Sequence, residues 1–201
     1  MKAIHFDQPG PPDVLKLVDC DIPEFNENQV LISVKFAGVN RPDIVQREGN
    51  YPAPKDHSII LGLEVSGIIE EVGANVKNFK KGDEVGALVN GGGYAEFCAV
   101  DQETVFKIPK SISLLHAASI PECYFTVWSN LVMRAKVSAN ESVLVHGGTS
   151  GIGIAAIQIL KLLKCQVFTT VGNEEKKDFC KNLGVKNTYN YNSQDFFEEI
   201  K

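Results

Sequence analysis

The chain has 201 residues, of which 44% are hydrophobic and 22% charged, and its 25 acidic and 20 basic residues give a net charge of −5. This is the composition of an ordinary globular protein, and an acidic chain without a basic block is a poor partner for nucleic acid or an anionic membrane. No apolar run approaches the length of a membrane span, and the first residues carry charge and proline, unlike a secretory signal. The five cysteines are odd in number and lack a C-x-x-C pair, which favours reduced thiols and a cytoplasmic location.

Residues 1–121 are expected to form a β-rich domain, because short β-branched runs alternate with Gly, Pro, Asn and Asp. A short helix is expected after Asn40, which can act as its N-cap, with Pro42 in the first turn and Asp43 near the positive end. The even spacing of the strands favours a barrel or a partly open barrel. The strands are predicted at residues 3–6, 30–37, 64–72, 84–89, 94–100 and 105–108.

From about residue 111 the hydrophobic period becomes helical, and strands and helices then alternate. In the helix predicted at 122–134, one apolar stripe contains Phe125, Trp128, Leu131 and Val132. The alternation predicts a parallel sheet with right-handed crossovers, so residues 122–201 are expected to form a second, α/β domain. Its strands are predicted at 143–146, 166–171 and 187–191, and the helices of the region at 114–119, 122–134, 152–163, 174–183 and 194–201.

The most specific motif is a glycine turn that joins the strand at 143–146 to an apolar helix. In this turn Gly148 lets the chain reverse, Gly151 lets the backbone approach a pyrophosphate, and Gly153 lets the helix pack closely on the strand. The N-terminus of the helix offers unpaired N–H groups and a positive dipole end to a phosphate. The context favours a dinucleotide site over an ordinary βα turn. The turn residues assigned to the cofactor are Gly148, Thr149, Ser150, Gly151 and Ile152.

Several further stretches resemble one enzyme superfamily, the medium-chain dehydrogenases/reductases, and within it the zinc-independent quinone oxidoreductases related to zeta-crystallin. The resemblance implies a GroES-like substrate domain, a Rossmann domain, NADPH as hydride donor, and a quinone or similar conjugated carbonyl as acceptor. The full-length family member is expected to be a homodimer. The stretches are Gly38-Val-Asn-Arg-Pro-Asp43, Gly49-Asn-Tyr-Pro52, Ile60-Leu-Gly-Leu-Glu-Val-Ser-Gly67, Gly91-Gly-Gly-Tyr-Ala-Glu96, Pro121-Glu-Cys-Tyr-Phe-Thr-Val-Trp128 and the run from Asn140 through Lys161.

The chain departs from the zinc alcohol dehydrogenases of the same superfamily at their metal ligands. Those enzymes place a cysteine at the position of Asn40 and a histidine at the position of Leu63. An amide and an isobutyl group cannot replace thiolate and imidazole as zinc ligands. The closely spaced cysteines of the structural zinc lobe are missing too, and the four histidines include no i, i+4 pair. We therefore expect no metal.

The choice between NADPH and NADH depends on the end of the second strand of the α/β domain. NAD-specific folds usually carry an acidic residue about 20 positions after the glycines, to bind the ribose 2′-hydroxyl. Here the segment is neutral at Gly172 and Asn173, and Lys176 follows within one helical turn. In similar proteins the residues that match Lys176 and Tyr191 hold the 2′-phosphate. These features favour NADPH.

Two neighbouring acidic residues argue the other way. Glu174 and Glu175 would repel a phosphate if their side chains turned inward. Lys176 would then be an ordinary solvated lysine on the helix surface. Both interpretations remain open at the level of the sequence.

Three residues are assigned to the nicotinamide and the substrate, two of them, Tyr51 and Thr126, by the resemblance. Tyr51 should face the nicotinamide and the acceptor, where its ring suits a planar quinone and its phenol can donate a hydrogen bond; alternatively it is an exposed tyrosine in a proline-flanked loop. Asn40 can cap its helix and also present its amide to the nicotinamide, or it can serve as the cap alone. Thr126 matches a threonine that contacts the carboxamide, or it bonds its own backbone. Hydride delivery needs positioning above all, so few catalytic side chains are expected, and Tyr51 and Asn40 are assigned to that role.

The rival functions concern the reaction and the length of the chain. Reduction of an enoyl thioester would use the same fold and hydride, with Tyr51 as proton donor to the α-carbon. A short-chain dehydrogenase is rejected, because its Tyr-x-x-x-Lys should follow the glycine turn, whereas the one match, Tyr51 to Lys55, precedes it. After Gly153 there is room for only a second and a third strand before Lys201, so only the first half of a six-stranded dinucleotide fold fits. An apparently truncated chain is therefore expected to expose apolar sheet surface and to be sluggish, or to be an inactive NADPH-binding or interaction module.

Overall fold

A computed structural model of the protein describes residues 1–55 and 57–201. The chain divides into two units, Met1–Glu122 and Cys123–Lys201, and each has its own hydrophobic core. Within the described ranges, no helix combines the length and the apolar character needed to cross a membrane.

The first unit is built from antiparallel strands. Two of them, β1 and β2, pair as a small separate sheet, and the others form a five-stranded sheet in the order β6-β3-β4-β5-β7. Buried side chains of β3 to β6 make the core, among them Val30, Ile32, Val65, Ile69 and Val85. The strands are β1 Lys2–His5, β2 Lys16–Asp19, β3 Gln29–Ala37, β4 Glu64–Val72, β5 Glu84–Leu88, β6 Phe97–Asp101 and β7 Val105–Lys107. The helices are α1 Arg41–Arg47 and α2 Leu114–Ala117, with 3₁₀ turns at Pro12–Val14 and Gln102–Thr104.

The six strands predicted in this unit all form, with small shifts at their ends. The largest shift is in the strand predicted at 94–100, which begins only at Phe97. Tyr94 and Ala95 instead pair with β1: the Ile4 N–H donates to the Tyr94 carbonyl at 2.8 Å, and Ala3 bridges to Ala95. The strand β2 was not predicted, and its side chains are mostly exposed.

The second unit is the predicted parallel sheet, with strand order β10-β9-β8. The α/β fold class is thereby confirmed. The helix after β8 and the helix after β9 each pack on these strands, and the core contains Ile157, Leu160, Val167, Val171 and Cys180. The elements are α3 Pro121–Val127, which begins at the unit boundary, a π-helix at Trp128–Arg134, β8 Ser142–His146, α4 Gly151–Leu162, β9 Gln166–Val171, α5 Glu174–Asn182, β10 Asn187–Asn190 and α6 Phe196–Ile200.

The helix predicted at 122–134 changes its hydrogen bonding half way along. It is α-helical to Val127 and π-helical from Trp128, where the Ala135 N–H reaches back five residues to the Asn130 carbonyl at 2.9 Å. The wider turn rotates the side chains away from the α-helical stripe. Leu131 and Val132 pack on the core, whereas Trp128 is 50% exposed.

Candidate functional site

The glycine turn follows β8 and is bonded to the end of β9. The N–H groups of Gly147 and Gly148 both donate to the Thr170 carbonyl, at 3.0 and 3.1 Å. The chain reverses at Gly147, which has a φ of +69°, and not at Gly148 as predicted. Ser150 is the N-cap of α4: its Oγ accepts the Gly153 N–H at 3.0 Å and donates to the Gly147 carbonyl at 2.9 Å. The turn is therefore fixed from both sides.

Three glycines of the turn have no room for a side chain. A Cβ on Gly148 would lie 2.9 Å from the Cys180 Sγ and closer still to the Thr169 Oγ1. On Gly153 it would lie 2.8 Å from the Gly148 Cα, and on Gly151 it would lie 2.8 Å from the sulfur of a cysteine in α3. At these three glycines no side chain covers the main chain, while Ile152 beside them is 41% exposed.

The first turn of α4 has N–H groups to offer to an anion. The Gly153 and Ile154 N–H groups both bond to Ser150, while those of Gly151 and Ile152 have no hydrogen-bond partner in the described part of the chain. Free N–H groups, a positive helix end and absent side chains are what a dinucleotide pyrophosphate requires. The turn therefore fits the cofactor implied by the fold.

A second group of predicted residues meets at the carboxyl ends of β9 and β10. Tyr191 follows β10, and its N–H donates to the Val171 carbonyl at 3.0 Å. A Cβ on Gly172 would lie 2.7 Å from the Tyr191 phenol oxygen, so the ring covers this glycine. Asn173 is the N-cap of α5, and its Oδ1 accepts the Lys176 N–H at 2.8 Å. The structure thus brings Gly172, Asn173, Lys176 and Tyr191 to one edge of the sheet.

The structure also shows where one of the two neighbouring glutamates points. The Glu174 carboxylate accepts the Asn190 amide at 2.8 Å and lies 3.8 Å from the Lys177 ammonium. It is therefore engaged with β10 and with the next turn of its own helix. The ion pairs of α5 involve Lys177 and Lys181, which leaves the exposed Lys176 ammonium without a carboxylate partner among the described residues.

Sequence reasoning missed the amide side chains that order this edge. The Asn192 amide donates to the Gly172 carbonyl at 2.7 Å, and the Asn192 N–H donates to the Asn190 Oδ1 at 3.1 Å. Gln194 accepts both the Lys177 ammonium at 2.7 Å and the Asn190 N–H at 3.2 Å. The run of amides directly after a strand end was the available signal.

Thr126 is half-buried on α3, and its carbonyl accepts the Asn130 amide at 2.8 Å. It lies three residues after Cys123, and therefore on the same face of the helix. The Cys123 sulfur approaches Gly151, so this face of α3 is directed at the start of α4. That placement is compatible with the expected contact to the carboxamide end of a cofactor.

In the first unit, Asn40 occupies the N-cap of α1 and belongs to a buried polar cluster. Asp43, which is 2% exposed, accepts three hydrogen bonds. Its Oδ2 accepts the Asn40 N–H at 2.8 Å and the Tyr94 hydroxyl at 2.9 Å, and its Oδ1 accepts the Gly62 N–H at 3.1 Å. Burial, reinforced by the Asp43 charge, raises the pKa of Tyr94, which keeps the phenol a hydrogen-bond donor.

A second buried carboxylate binds the Asn40 side chain. Glu64, the first residue of β4, is 3% exposed, and its Oε1 accepts the Asn40 amide N–H at 2.8 Å. Its Oε2 accepts the Glu122 main-chain N–H at 3.0 Å. Burial raises the pKa of Glu64 and the negative charge of Asp43 adds to this, while the two hydrogen bonds act in the opposite direction. Sequence reasoning missed this partner, which lies 24 positions from Asn40.

Tyr51 lies in the loop after α1 and is 45% exposed. The alternatives of a substrate contact and an ordinary exposed loop residue therefore both remain. At the two positions where zinc enzymes carry ligands, Asn40 bonds to Glu64 and Leu63 is buried. In residues 1–55 and 57–201, no group of three or more His, Cys, Asp and Glu side chains is arranged to hold a metal ion.

Comparison with known proteins identifies both halves of the chain. Residues 26–110 match the model of the alcohol dehydrogenase GroES-like domain, and residues 151–201 match that of the zinc-binding dehydrogenase family. The quinone oxidoreductase of Lama guanicoe is 38% identical over all of the chain, which spans 62% of the length of that relative. The chain belongs to the medium-chain dehydrogenase/reductase superfamily. Within it, the resemblance to the quinone oxidoreductases is confirmed.

Solved structures give the same result. The quinone oxidoreductase of Coxiella burnetii superposes with a TM-score of 0.88 at 36% identity, over 100% of this chain and 65% of that one. The CurK enoyl reductase superposes with a TM-score of 0.90 at 30% identity, over 99% of this chain and 62% of that one. The Escherichia coli quinone oxidoreductase, solved with NADPH, has a TM-score of 0.86 at 30% identity, over 100% and 62%.

Proposed function

We propose that this chain is part of an NADPH-dependent oxidoreductase that delivers a hydride to a quinone or a related conjugated carbonyl, without a metal. The observation that carries the proposal is the carboxyl edge of the parallel sheet. A main-chain cradle at the start of α4 lies beside an edge where Lys176 has no carboxylate partner among the described residues and where Glu174 is held by Asn190. The NADPH complex of the Escherichia coli relative supports the choice of cofactor.

On the cofactor side, each predicted residue has a distinct role. The turn from Gly148 to Ile152, including Thr149, would hold the pyrophosphate through main-chain N–H groups. Gly172, which the Tyr191 ring covers, and Asn173 would place no acidic side chain against the 2′-phosphate, and Lys176 and Tyr191 would bind it. Thr126 would bond to the carboxamide.

On the substrate side, we propose Tyr51 and Asn40 as the catalytic residues. NADPH, when bound, supplies the hydride, so the side chains of the protein need only position the acceptor and handle a proton. The Tyr51 ring would lie against a planar acceptor and its hydroxyl would donate to an acceptor oxygen. The Asn40 amide would donate a second hydrogen bond to the nicotinamide or the acceptor. No ligand set for zinc remains at Asn40 and Leu63.

Reduction of an enoyl thioester is the second candidate. It is favoured by the match to the CurK enoyl reductase, whose TM-score is 0.90. In that reaction Tyr51 would protonate the α-carbon, so Tyr51→Phe would lower turnover far more on an enoyl thioester than on a quinone. Turnover of 1,4-naphthoquinone and of a crotonyl thioester of N-acetylcysteamine by the wild type and the variant separates the two reactions. Quinone turnover that exceeds thioester turnover in the wild type is the expected result.

The remaining proposals concern the whole protein. We assign residues 1–121 to the substrate domain and 122–201 to the NADP-binding domain. The five free cysteines of the described chain suit a reducing, cytoplasmic location. The full-length protein would be a homodimer. Because the chain spans 62% of its curated relatives, an inactive NADPH-binding module is the alternative for the 201 residues themselves.

The test is a titration of the chain with NADPH and NADH, followed by nicotinamide fluorescence. The proposal predicts saturable binding with a clear preference for NADPH, and turnover of 1,4-naphthoquinone with NADPH. Equal binding of the two cofactors would contradict the phosphate site. NADPH binding without turnover would favour the inactive module.

A further inference from the structure

Two carboxylates lie buried beneath Asn40 without a positive partner. Asp43 and Glu64 are 2% and 3% exposed, and no Lys, Arg or His of the described chain forms an ion pair with either of them. Removing carboxylates from water is costly unless hydrogen bonds compensate. Here five N–H and O–H donors do so, three for Asp43 and two for Glu64. A cluster of this kind must be satisfied in full, which fixes the positions of its members.

The Glu64 side chain is held in place by close packing. A Cβ on Gly38 would lie 2.6 Å from the Glu64 Cδ and 2.7 Å from its Cγ, so the side chain runs along the bare main chain of this glycine. The Gly38 N–H also donates to the Glu64 carbonyl at 3.2 Å. At its far end the carboxylate is bonded to the Glu122 N–H in the first turn of α3. Glu64 therefore connects β4, the loop before α1 and the start of α3.

This arrangement fixes the polarity of the Asn40 amide. An ionised carboxylate only accepts hydrogen bonds, so Glu64 can face the amide nitrogen of Asn40 but not its oxygen. The oxygen is then turned toward the Asp43 N–H, in the arrangement of a capping box. Rotating the amide by half a turn would place oxygen against carboxylate and N–H against N–H. One N–H of the Asn40 amide is left over after the bond to Glu64.

We propose that Glu64 is a positioning residue, which orients Asn40 so that its remaining amide N–H is presented as a donor to the reacting molecule. The inference rests on the proposed function. It adds to it one residue, Glu64, and the orientation in which the Asn40 amide donates its hydrogen bond. Glu64 itself is not the proton donor, because both of its oxygens face N–H groups inside the unit.

The Glu64→Gln variant tests the polarity of this contact. Glutamine has one oxygen, which stays with the fixed Glu122 N–H, so its amide nitrogen faces Asn40 and forces the Asn40 amide to rotate. In an amide NMR spectrum of the ¹⁵N-asparagine-labelled chain, the Asn40 side-chain signals are expected to move and to exchange faster with solvent. The Glu122→Gln variant removes a neighbouring carboxyl but keeps the Glu122 N–H, and it should leave these signals in place. Unchanged Asn40 signals in Glu64→Gln would overturn the proposal.

A double variant in which the carboxylate and the amide exchange positions separates the positioning role of Glu64 from its contribution to stability. In the double variant Asn40→Asp with Glu64→Gln, the carboxylate introduced by the first substitution accepts from the amide introduced by the second and from the Asp43 N–H. The thermal midpoint should therefore recover relative to either single variant. Turnover of 1,4-naphthoquinone should stay about 10- to 100-fold below wild type, because the amide donor is gone. Recovery of turnover together with stability would reduce Glu64 to a structural role.

Failure of the proposed function and failure of the positioning role give different results in these experiments. If the wild-type chain neither binds NADPH nor turns over a quinone, the proposed function fails for these 201 residues. The NMR arm still decides whether Glu64 orients Asn40, since it needs no cofactor.

Discussion

Replacing Lys176 by alanine should weaken NADPH binding and leave NADH binding unchanged. Lys176 is exposed in the first turn of α5, just after the strand end that carries Gly172, and its ammonium has no carboxylate partner in the described chain. A hydrogen bond to a charged group contributes about 1.5–3 kcal/mol, and solvent screening places an exposed pair at the lower end. At about 1.4 kcal/mol per tenfold, the dissociation constant for NADPH should rise about 10-fold. NADH lacks the 2′-phosphate, so the preference for NADPH should shrink by the same factor.

Fluorescence titrations at low and at moderate salt measure both constants. Lys181→Ala removes the same charge from the last turn of α5, away from the strand end, and should change neither constant. The wild-type preference should fall as salt rises, because the contact is exposed. If Lys176→Ala weakened NADPH and NADH equally, or weakened neither, the assignment of the 2′-phosphate to this edge would be refuted.

Three further predictions concern the turn and the buried cluster. Gly148→Ala should destabilise the second unit by about 1–3 kcal/mol, because its Cβ would meet the Cys180 sulfur at 2.9 Å, and an unchanged thermal midpoint would contradict the tight packing. Tyr94→Phe should cost about 1–3 kcal/mol in urea unfolding, since it removes a donor from buried Asp43; a neutral effect would show that the bond matters little. Burial raises the pKa of Glu64 above its ordinary value of 4.5, so the native state binds more protons there and stability should fall as pH rises from about 4.5 through the raised pKa. In Glu64→Gln this slope should flatten, and an identical pH dependence of stability in both proteins would contradict its assignment to Glu64.

Local patterns in the sequence were sufficient for most of the fold. The glycine turn and β9 could be predicted because the alternation of apolar strand, glycines and apolar helix is contained in a short window. The strand β2 was missed because it is largely exposed and pairs only with β1, so no apolar periodicity marks it. The exposure of Trp128 could not be foreseen either, since the change to π-helical bonding has no signature in the apolar pattern.

The candidate site was predictable to a similar extent. Lys176 lies just after one strand end that the pattern locates and Tyr191 lies at another, and parallel strands bring those ends to one edge. Glu64 was not predictable, because its role depends on a contact with Asn40 that only the pairing of β3 with β4 creates. From the sequence alone, Glu64 is the first residue of a strand and nothing more.

The most direct test of the account is a single-turnover experiment with the 201-residue chain in excess over NADPH, started by addition of 1,4-naphthoquinone. The absorbance of the reduced nicotinamide should decay in a reaction that requires both the chain and the quinone, and the decay should be about 10-fold slower in Glu64→Gln. NADPH that is bound by the chain but stays reduced in the presence of the quinone would contradict the claim that these residues form a working reductase.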